Sequence, residues 1–175
     1  MKNYSIIETE RLILRLTELH DASFVLELLN TPKWKQFIGD RNIHSIADAT
    51  QYIKEKMLPQ SERLGYGNYV VIRKKDDVKI GSCGLYDREG LEGVDIGFAF
   101  LPNYEGKGYA YEASKKIMET AFTDFQIDTI AGITAKGNKA SQGLLMKLGL
   151  TFDKYITLPN EDEEIMLFSI KKNEN

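Results

Sequence analysis

Cysteine and histidine are scarce in this chain, which has one cysteine and two histidines among its 175 residues. A single cysteine, Cys83, excludes a framework of intrachain disulfides and any metal cluster held by several thiolates. Two histidines, His20 and His44, are too few for a histidine-rich metal site. We therefore expect a protein that uses no bound metal.

The chain also lacks an excess of positive charge and any long apolar run. Its formal net charge is −3 and its pI is near 5.5, which argues against nucleic acid as an electrostatic partner. No apolar stretch approaches the length of a membrane span, and no signal-peptide core follows the first residues. We expect a cytoplasmic protein without a nucleic-acid or membrane partner, either a monomer or a homodimer.

No repeat, low-complexity segment or linker interrupts the sequence, so residues 1–175 are predicted to form a single domain. Hydrophobic periodicity and turn residues predict a mixed α/β (α+β) sheet and exclude an alternating βα barrel. The predicted strands are 11–16, 69–74, 79–86, 94–101, 129–134, 151–158 and 164–170. The predicted helices are 21–29, 45–57, 110–125 and 138–148, with a short helical turn at 32–39.

The junction between the strand at 94–101 and the helix at 110–125 is the most informative segment. It reads PNYEGKGYA over residues 102–110. Gly106 and Gly108 have no Cβ that would keep a ligand from the backbone. The amides of residues 106–110 are expected to face outward at the positive end of the helix dipole, which favours a phosphate or pyrophosphate.

Three kinds of phosphate site use a glycine-containing loop before a helix. A Walker loop needs four residues between its glycines and a Lys-Ser/Thr pair after the second, and the segment has neither. A dinucleotide fold places its glycines in the first βα unit with a third glycine, whereas here they lie beyond residue 100 and Tyr111 occupies the third position. The third kind is a site for coenzyme A.

Several segments in order resemble the GNAT acetyltransferases, most closely the branch with the ribosomal-protein-alanine (Rim-type) enzymes. Residues 95–98 (DIGF) and 101–113 (LPNYEGKGYAYEA) resemble the acetyl-CoA-binding segment of that family. Residues 9–15 (TERLILR) resemble the opening strand of the branch, and residues 138–141 (NKAS) resemble its second cofactor contact. The resemblance covers nearly the whole chain. It implies a mostly antiparallel sheet of six to seven strands that is flanked by helices and splayed at the cofactor strand.

The resemblance also implies where acetyl-CoA binds. The pantetheine arm is expected along the strand before the glycine loop, where a backbone amide near Phe98 or Ala99 polarises the thioester carbonyl. Glu105 departs from the family pattern, and we expect it to point to solvent while Lys107 and the amides carry the anion. The implied cofactor-binding residues are Phe98, Ala99, Phe100, Leu101, Glu105, Gly106, Lys107, Gly108, Tyr109, Ala110, Asn138 and Ser141.

Asn138 and Ser141 lie at the start of a predicted helix, with Asn138 as its N-cap. In the family this asparagine holds the pantetheine arm. Many members have a tyrosine seven residues later that protonates the leaving thiolate, and here that position is Leu145. We therefore expect Ser141 to donate a hydrogen bond to the sulfur; ordinary helix capping is the alternative for both residues.

A general base is harder to identify. Asp95 begins the cofactor strand, where some relatives place a glutamate that acts through water. We take Asp95 as the candidate base, against the alternatives of a solvated strand end, His44, Tyr104, or a water chain without a single base.

Aromatic and acidic residues suggest an acceptor site. Trp34, Phe37, Tyr52 and Tyr66 come from segments that cover the acceptor cleft in the family, although a place in the hydrophobic core explains each equally well. The turn at 159–163 and Glu164 carry four consecutive carboxylates. These form either a solvated turn or a surface that attracts a cationic amine.

These observations predict an acetyl-CoA-dependent N-acetyltransferase that acts on a small-molecule or peptide amine by direct transfer in a ternary complex. A non-catalytic acyl-CoA sensor of the same fold is the main alternative. A nucleotide-binding, kinase-like protein is a third, but it requires Mg²⁺ carboxylates and a catalytic Asp in an order that the sequence does not show.

Overall fold

The computed structural model describes residues 4–173. Its strands are β1 (Ile6–Glu8), β2 (Leu12–Leu16), β3 (Asn68–Arg73), β4 (Val78–Tyr86), β5 (Val94–Phe100), β6 (Thr129–Thr134), β7 (Thr151–Thr157) and β8 (Glu164–Lys171). They form one sheet in the order β1-β2-β3-β4-β5-β6-β8-β7. Neighbouring strands are antiparallel except for the parallel pair β5 and β6.

The α-helices of the described residues are α1 (Ala22–Leu29), α2 (Pro32–Phe37), α3 (Ile46–Tyr52), α4 (Leu58–Leu64), α5 (Tyr109–Thr123) and α6 (Lys139–Lys147). Within residues 4–173, none of the helices has the combined length and apolar character that crossing a bilayer requires.

The predicted class, a mixed and mostly antiparallel α/β sheet flanked by helices, is confirmed. The sequence predicts seven strands, and the sheet has eight. The additional strand, β1, has three residues of which only Ile7 is buried, so its sequence contains no alternation long enough to predict a strand.

Two hydrophobic clusters lie on opposite faces of the sheet. On one face, Ala113, Ile117 and Ala121 of α5 recur at intervals of four and pack on β5 and its neighbours. On the other face, helices α1 and α3 bury Leu28 and Ala49 against β3. Because side chains alternate along β5, this strand contributes to both clusters.

The sheet opens between β5 and β6. These two strands pair only at Val94 with Ile130 and at Asp95 with Ala131. Beyond Asp95, residues 96–100 keep β4 as their strand partner on one edge and have no strand partner on the other among the described residues. The splay that the family resemblance implies is therefore present.

Helix α3 begins where the sequence predicts, because the Ser45 hydroxyl accepts a hydrogen bond from the Asp48 amide at 3.0 Å. The helical run does not end near Met57. It continues through a π-turn over Ile53–Met57 into α4. Pro59 lacks an amide hydrogen and crowds the preceding turn, which accounts for the wider turn just before it.

Asp21 links three elements of the first half of the chain. Its fully buried carboxylate accepts hydrogen bonds from Arg15 of β2 at 2.8 and 3.0 Å and from Lys79 of β4 at 2.6 Å. The Glu18 amide donates a further one at 2.8 Å. Burial alone raises the pKa of Asp21, but these donors override it and lower the pKa to about 2.

We expect Asp21→Asn to lower the free energy of unfolding at pH 7 by about 2–4 kcal/mol, because it leaves two cations without their buried counter-charge. The folded-state pKa is depressed, so the contribution is present above about pH 4 and is lost as the pH falls towards 2. Urea unfolding at pH 7 and near pH 3 measures the loss of stability and its dependence on pH. Asp77→Asn, in the exposed β3–β4 turn, is the matched control. Equal losses for the two variants would contradict the role of the network.

Candidate active site

The loop between β5 and α5 turns through two glycines with positive φ, +69° at Gly106 and +80° at Gly108. Residues with a side chain rarely adopt this left-handed backbone conformation, so both positions favour glycine. A Cβ at Gly106 would meet no atom within 4 Å, so the space beside it is open. Gly108 is the N-cap of α5. The loop therefore presents the start of a long helix to open space, a geometry suited to an anion.

A side-chain cluster holds this loop in place. Glu112, in the first turn of α5, accepts hydrogen bonds from the Thr9 hydroxyl at 2.6 Å and from the Arg11 amide and Nε at 2.9 and 2.6 Å. Arg11 also donates from Nη1 to the Lys107 carbonyl at 3.0 Å. Burial raises the pKa of Glu112, but the bonds from Thr9 and Arg11 outweigh it and hold the pKa below its usual value. Residues 9–11 thus fasten the loop to the β1–β2 turn.

The charged residues of the loop have different partners. Glu105 is paired with Lys33 of α2, and its side chain is one-third exposed. It therefore points only partly to solvent, and the ion pair with Lys33, which the sequence analysis does not predict, compensates its charge. Lys107 forms no ion pair with any described residue, and its Nζ lies 5.9 Å from the centre of the Tyr104 ring. Lys107 is thus the loop cation with no competing carboxylate.

The edge of β5 beyond Asp95 exposes alternate backbone groups. The Leu101 amide donates to the Ile80 carbonyl at 2.9 Å, and the β4–β5 register continues without a shift. In an antiparallel ladder, residues two apart point the same way, so Ala99 also bonds to β4. Phe98 and Phe100 then direct their N–H and C=O groups into the gap. Of the two amides proposed for the thioester carbonyl, only that of Phe98 is available.

The side chains of this segment are used for packing. Phe100 and Tyr109 are buried in the cluster beneath α5, and Phe98 and Ala110 pack against it. Leu101 is buried in the opposite cluster with Ala99 beside it. Core packing through side chains and an open edge through the backbone therefore coexist, as the sequence predicts.

The start of α6 lies across the gap from β5. Asn138 is its N-cap, as predicted, and Oδ1 accepts a hydrogen bond from the Ser141 amide at 3.2 Å. The Ser141 hydroxyl forms no hydrogen bond with any residue among 4–173. Leu145, one turn further on, is buried against Gly132 of β6. The position that carries tyrosine in many relatives is thus a core leucine.

A cavity of about 610 Å³ occupies the gap and extends beneath α2 and the π-turn. It brings together most of the predicted catalytic and acceptor residues. Among the residues that border it are Trp34, Phe37, Asp95, Phe98, Asn138 and Ser141.

Asp95 lies at the floor of the cavity with only 3% of its side chain exposed. Oδ2 accepts a hydrogen bond from Arg88 Nε at 3.1 Å, whereas Oδ1 is buried without a partner among the described residues. Burial raises the pKa of Asp95 to about 6, although Arg88 and, more weakly, the nearby Ile133 amide oppose the shift. A carboxyl group with such a pKa can accept a proton near neutral pH.

A polar network that the sequence analysis does not identify lies beside Asp95. Tyr86, which is paired with Asp95 across the β4–β5 ladder, donates its hydroxyl hydrogen to Asn68 Oδ1. Ser82 donates to the same oxygen at 2.8 Å. A Cβ at Gly97 would lie 2.7 Å from the Tyr86 ring, so the ring requires this glycine. A lone glycine within a strand is the signal that could have indicated such a close approach.

The four aromatic candidates separate into two groups. Trp34, Phe37 and Tyr52 border the cavity, and the Trp34 Nε1–H is buried without a described acceptor. Tyr66 does not border it. Tyr66 lies in the segment between α4 and β3, and its ring is 4.7 Å from that of Phe125, with which it packs against the cluster beneath α5. We therefore leave Tyr66 out of the proposed acceptor site.

Comparison with known proteins identifies the family. A sequence model described as an acetyltransferase (GNAT) domain matches residues 11–151. The chain belongs to the GNAT acetyltransferase family. The predicted family and enzyme class are thereby confirmed.

Individual relatives agree with this assignment. An uncharacterized N-acetyltransferase of Bacillus subtilis, YnaD, is 28% identical over 159 residues, which is 89% of this chain and 90% of that protein. A GNAT-family acetyltransferase structure from Bacillus anthracis superposes with a TM-score of 0.77 at 24% identity, covering 95% and 98% of the two chains. A RimL ribosomal L7/L12 alpha-N-protein acetyltransferase in complex with coenzyme A gives 0.80 at 16% identity, covering 95% and 97%. The last two establish similarity of fold.

In this GNAT enzyme we expect Glu112→Gln to raise the Kd of acetyl-CoA about tenfold, because a neutral amide loses the charged hydrogen bonds that hold the glycine loop. Isothermal titration calorimetry measures the Kd, and circular dichroism checks the fold. Glu119→Gln, on the exposed face of the same helix, is the control. An unchanged Kd in a folded Glu112→Gln protein would show that the loop keeps its geometry without the cluster.

Proposed function

We propose that this chain transfers the acetyl group of acetyl-CoA to a primary amine by direct attack within a ternary complex. The observation that carries the proposal is the open backbone edge of residues 96–100, which borders a cavity large enough for two reactants. Holding both reactants in one cleft can lower the barrier by about 7–11 kcal/mol.

The residues around the gap suit acetyl-CoA, which supplies the activated thioester. The outward N–H and C=O groups of Phe98 and Phe100 match the amides of a pantetheine arm, as in an added strand. The open glycine loop and the unpaired Lys107 suit the pyrophosphate. A RimL neighbour of the same fold was crystallised with coenzyme A, which supports this assignment.

Each chain residue near the reacting atoms has a proposed task. The Phe98 amide donates to the acyl oxygen as negative charge develops there. Ser141 donates its free hydroxyl hydrogen to the leaving sulfur. Asp95 takes the proton of the attacking amine through an intervening water, since its carboxyl group is too buried for direct contact.

We expect Ser141→Ala to lower kcat about tenfold while the Kd of acetyl-CoA changes little, because a hydrogen bond to sulfur strengthens only as charge develops in the transition state. Steady-state kinetics and calorimetry separate the two effects. Weaker cofactor binding with an unchanged kcat would make Ser141 a cofactor anchor or an ordinary cap residue.

Asp95→Asn tests the base. We expect kcat to fall and the acid limb near pH 6 to disappear from its pH profile. Whereas kcat falls, the free energy of unfolding of the variant should rise. The raised pKa means that the favourable protonated form is lost as the pH rises through about 6, so the neutral amide should stabilise the fold at pH 7.5 by on the order of 2–3 kcal/mol.

The stability difference should vanish near pH 4, where Asp95 is itself protonated, and urea unfolding at both pH values measures it. Glu92→Gln, an exposed carboxylate of the β4–β5 turn, is the control for both measurements. A variant that keeps the wild-type kcat and its acid limb would remove Asp95 from the mechanism.

The function as a whole is tested by release of free coenzyme A from acetyl-CoA with a panel of amines, confirmed by the mass of the acetylated product. Calorimetry with acetyl-CoA, ATP and NAD establishes which nucleotide binds. Binding of acetyl-CoA without acetylation of any amine would favour the non-catalytic sensor. An acetyl group found covalently on the protein would contradict direct transfer.

A further inference from the structure

The acceptor end of the cavity carries unpaired charges of both signs. Arg41, in the connection between α2 and α3, and Lys56, in the π-turn, border the cavity. Neither forms an ion pair with any described residue. Glu161 and Glu163, in the β7–β8 turn, border the same cavity and form no ion pair within residues 4–173, although Glu163 interacts electrostatically with Lys136 at longer range.

Other charges near this cavity are already compensated. Asp87 is paired with Arg63 at 2.7 Å, and Arg88 with Asp95 at 3.1 Å. Three separate segments therefore bring two cations and two anions, all exposed to solvent, to the border of one cavity that Trp34 and Phe37 also line. All four side chains are exposed to solvent at the border of the cavity, so water solvates them when no ligand is bound. A ligand that has both a positive and a negative group would complement both signs of charge at once.

We propose that the amine acceptor is a free amino acid, a small zwitterion. Its carboxylate is bound by Arg41 and Lys56, and its ammonium group is attracted by Glu161 and Glu163 before it loses its proton towards Asp95. This inference rests on the acetyltransferase function proposed above and names its substrate class.

The same charges disfavour the other acceptor classes. A polyamine or an aminoglycoside carries several ammonium groups, which Glu161 and Glu163 would attract but Arg41 and Lys56 would repel, whereas an amino acid complements both pairs. A protein N-terminus has a peptide carbonyl where the amino acid has its carboxylate, so both cations would stay unpaired. Guanidinium and ammonium groups bind carboxylates through charge-assisted hydrogen bonds, which discriminate strongly against a neutral analogue.

The experiment compares each amino acid with its carboxamide, using the common L-α-amino acids and the ω-amino acids from glycine to 6-aminohexanoate. The carboxamide keeps the size and the amine but loses the negative charge, and its less basic amine is more often neutral at pH 7. Amine reactivity therefore favours the amide. We expect kcat/KM for at least one acid to exceed that for its amide about tenfold or more at low ionic strength.

Variants of the charged residues test which side chains recognise the amino acid. Arg41→Gln and Lys56→Gln should each reduce the acid-to-amide ratio, and together bring it close to one, with KM for acetyl-CoA unchanged. Lys54→Gln, an exposed lysine of the same π-turn outside the cavity, is the matched control. Glu161→Gln with Glu163→Gln should raise KM for acid and amide alike, and Asp162→Asn, which does not border the cavity, should not.

The outcomes distinguish this inference from the proposed function. Acetylation led by carboxamides, polyamines or peptide amides would overturn the amino-acid acceptor and leave the acetyltransferase intact. A rise in KM for acetyl-CoA in the Arg41 and Lys56 variants, at a constant acid-to-amide ratio, would assign these cations to the cofactor and overturn the inference. Acetyl-CoA binding without acetylation of any amine would overturn the proposed function and the inference together.

Discussion

Strands β5 and β6 are joined by only two residue pairs, and the functional site depends on the gap that opens beyond them. Each strand is fully paired on its other side, β5 with β4 and β6 with β8, so two well-formed half-sheets meet over a short contact. The gap does two things at once. It releases the backbone of Phe98 and Phe100 from pairing with β6, and it creates the cavity beside them. A sheet closed at this point would leave neither a free amide nor a cavity.

Two buried aspartates show how hydrogen bonding determines the pKa of buried carboxyl groups in this fold. Asp21 and Asp95 are both almost fully excluded from solvent. Asp21 accepts bonds from two cationic side chains and a backbone amide, and its pKa is about 2. Asp95 accepts one side-chain hydrogen bond, from Arg88, with only a weaker contribution from the Ile133 amide, and its pKa is about 6. The first stabilises the junction of β2, α1 and β4. The second remains under-satisfied beside the cavity, a cost in stability that suits a group meant to exchange a proton.

Local rules were enough to predict the parts of the site that depend on neighbours in sequence. The glycine loop, the Asn138 cap and the strand before the loop follow from turn chemistry, capping preferences and alternation. Residues that act through tertiary contacts could not be found in this way. Tyr66 is aromatic and near the right segment, but only its tertiary contact with Phe125 shows that it packs against the other cluster. The bonds from Thr9 and Arg11 to Glu112 join positions about 100 residues apart, which no periodicity connects.

The residues that line the two ends of the cavity differ in chemical character. Towards β5 and α6 the neighbours are backbone groups, apolar side chains and the neutral Asn138 and Ser141, which suit a long ligand whose charge is held elsewhere, at the glycine loop. Towards α2, the π-turn and the β7–β8 turn they include charges of both signs. On its own, a turn with four consecutive carboxylates would be explained by its exposure to water. With Arg41 and Lys56 at the border of the same cavity, charges of both signs are available to a ligand, and the amino-acid acceptor proposed above is complementary to both.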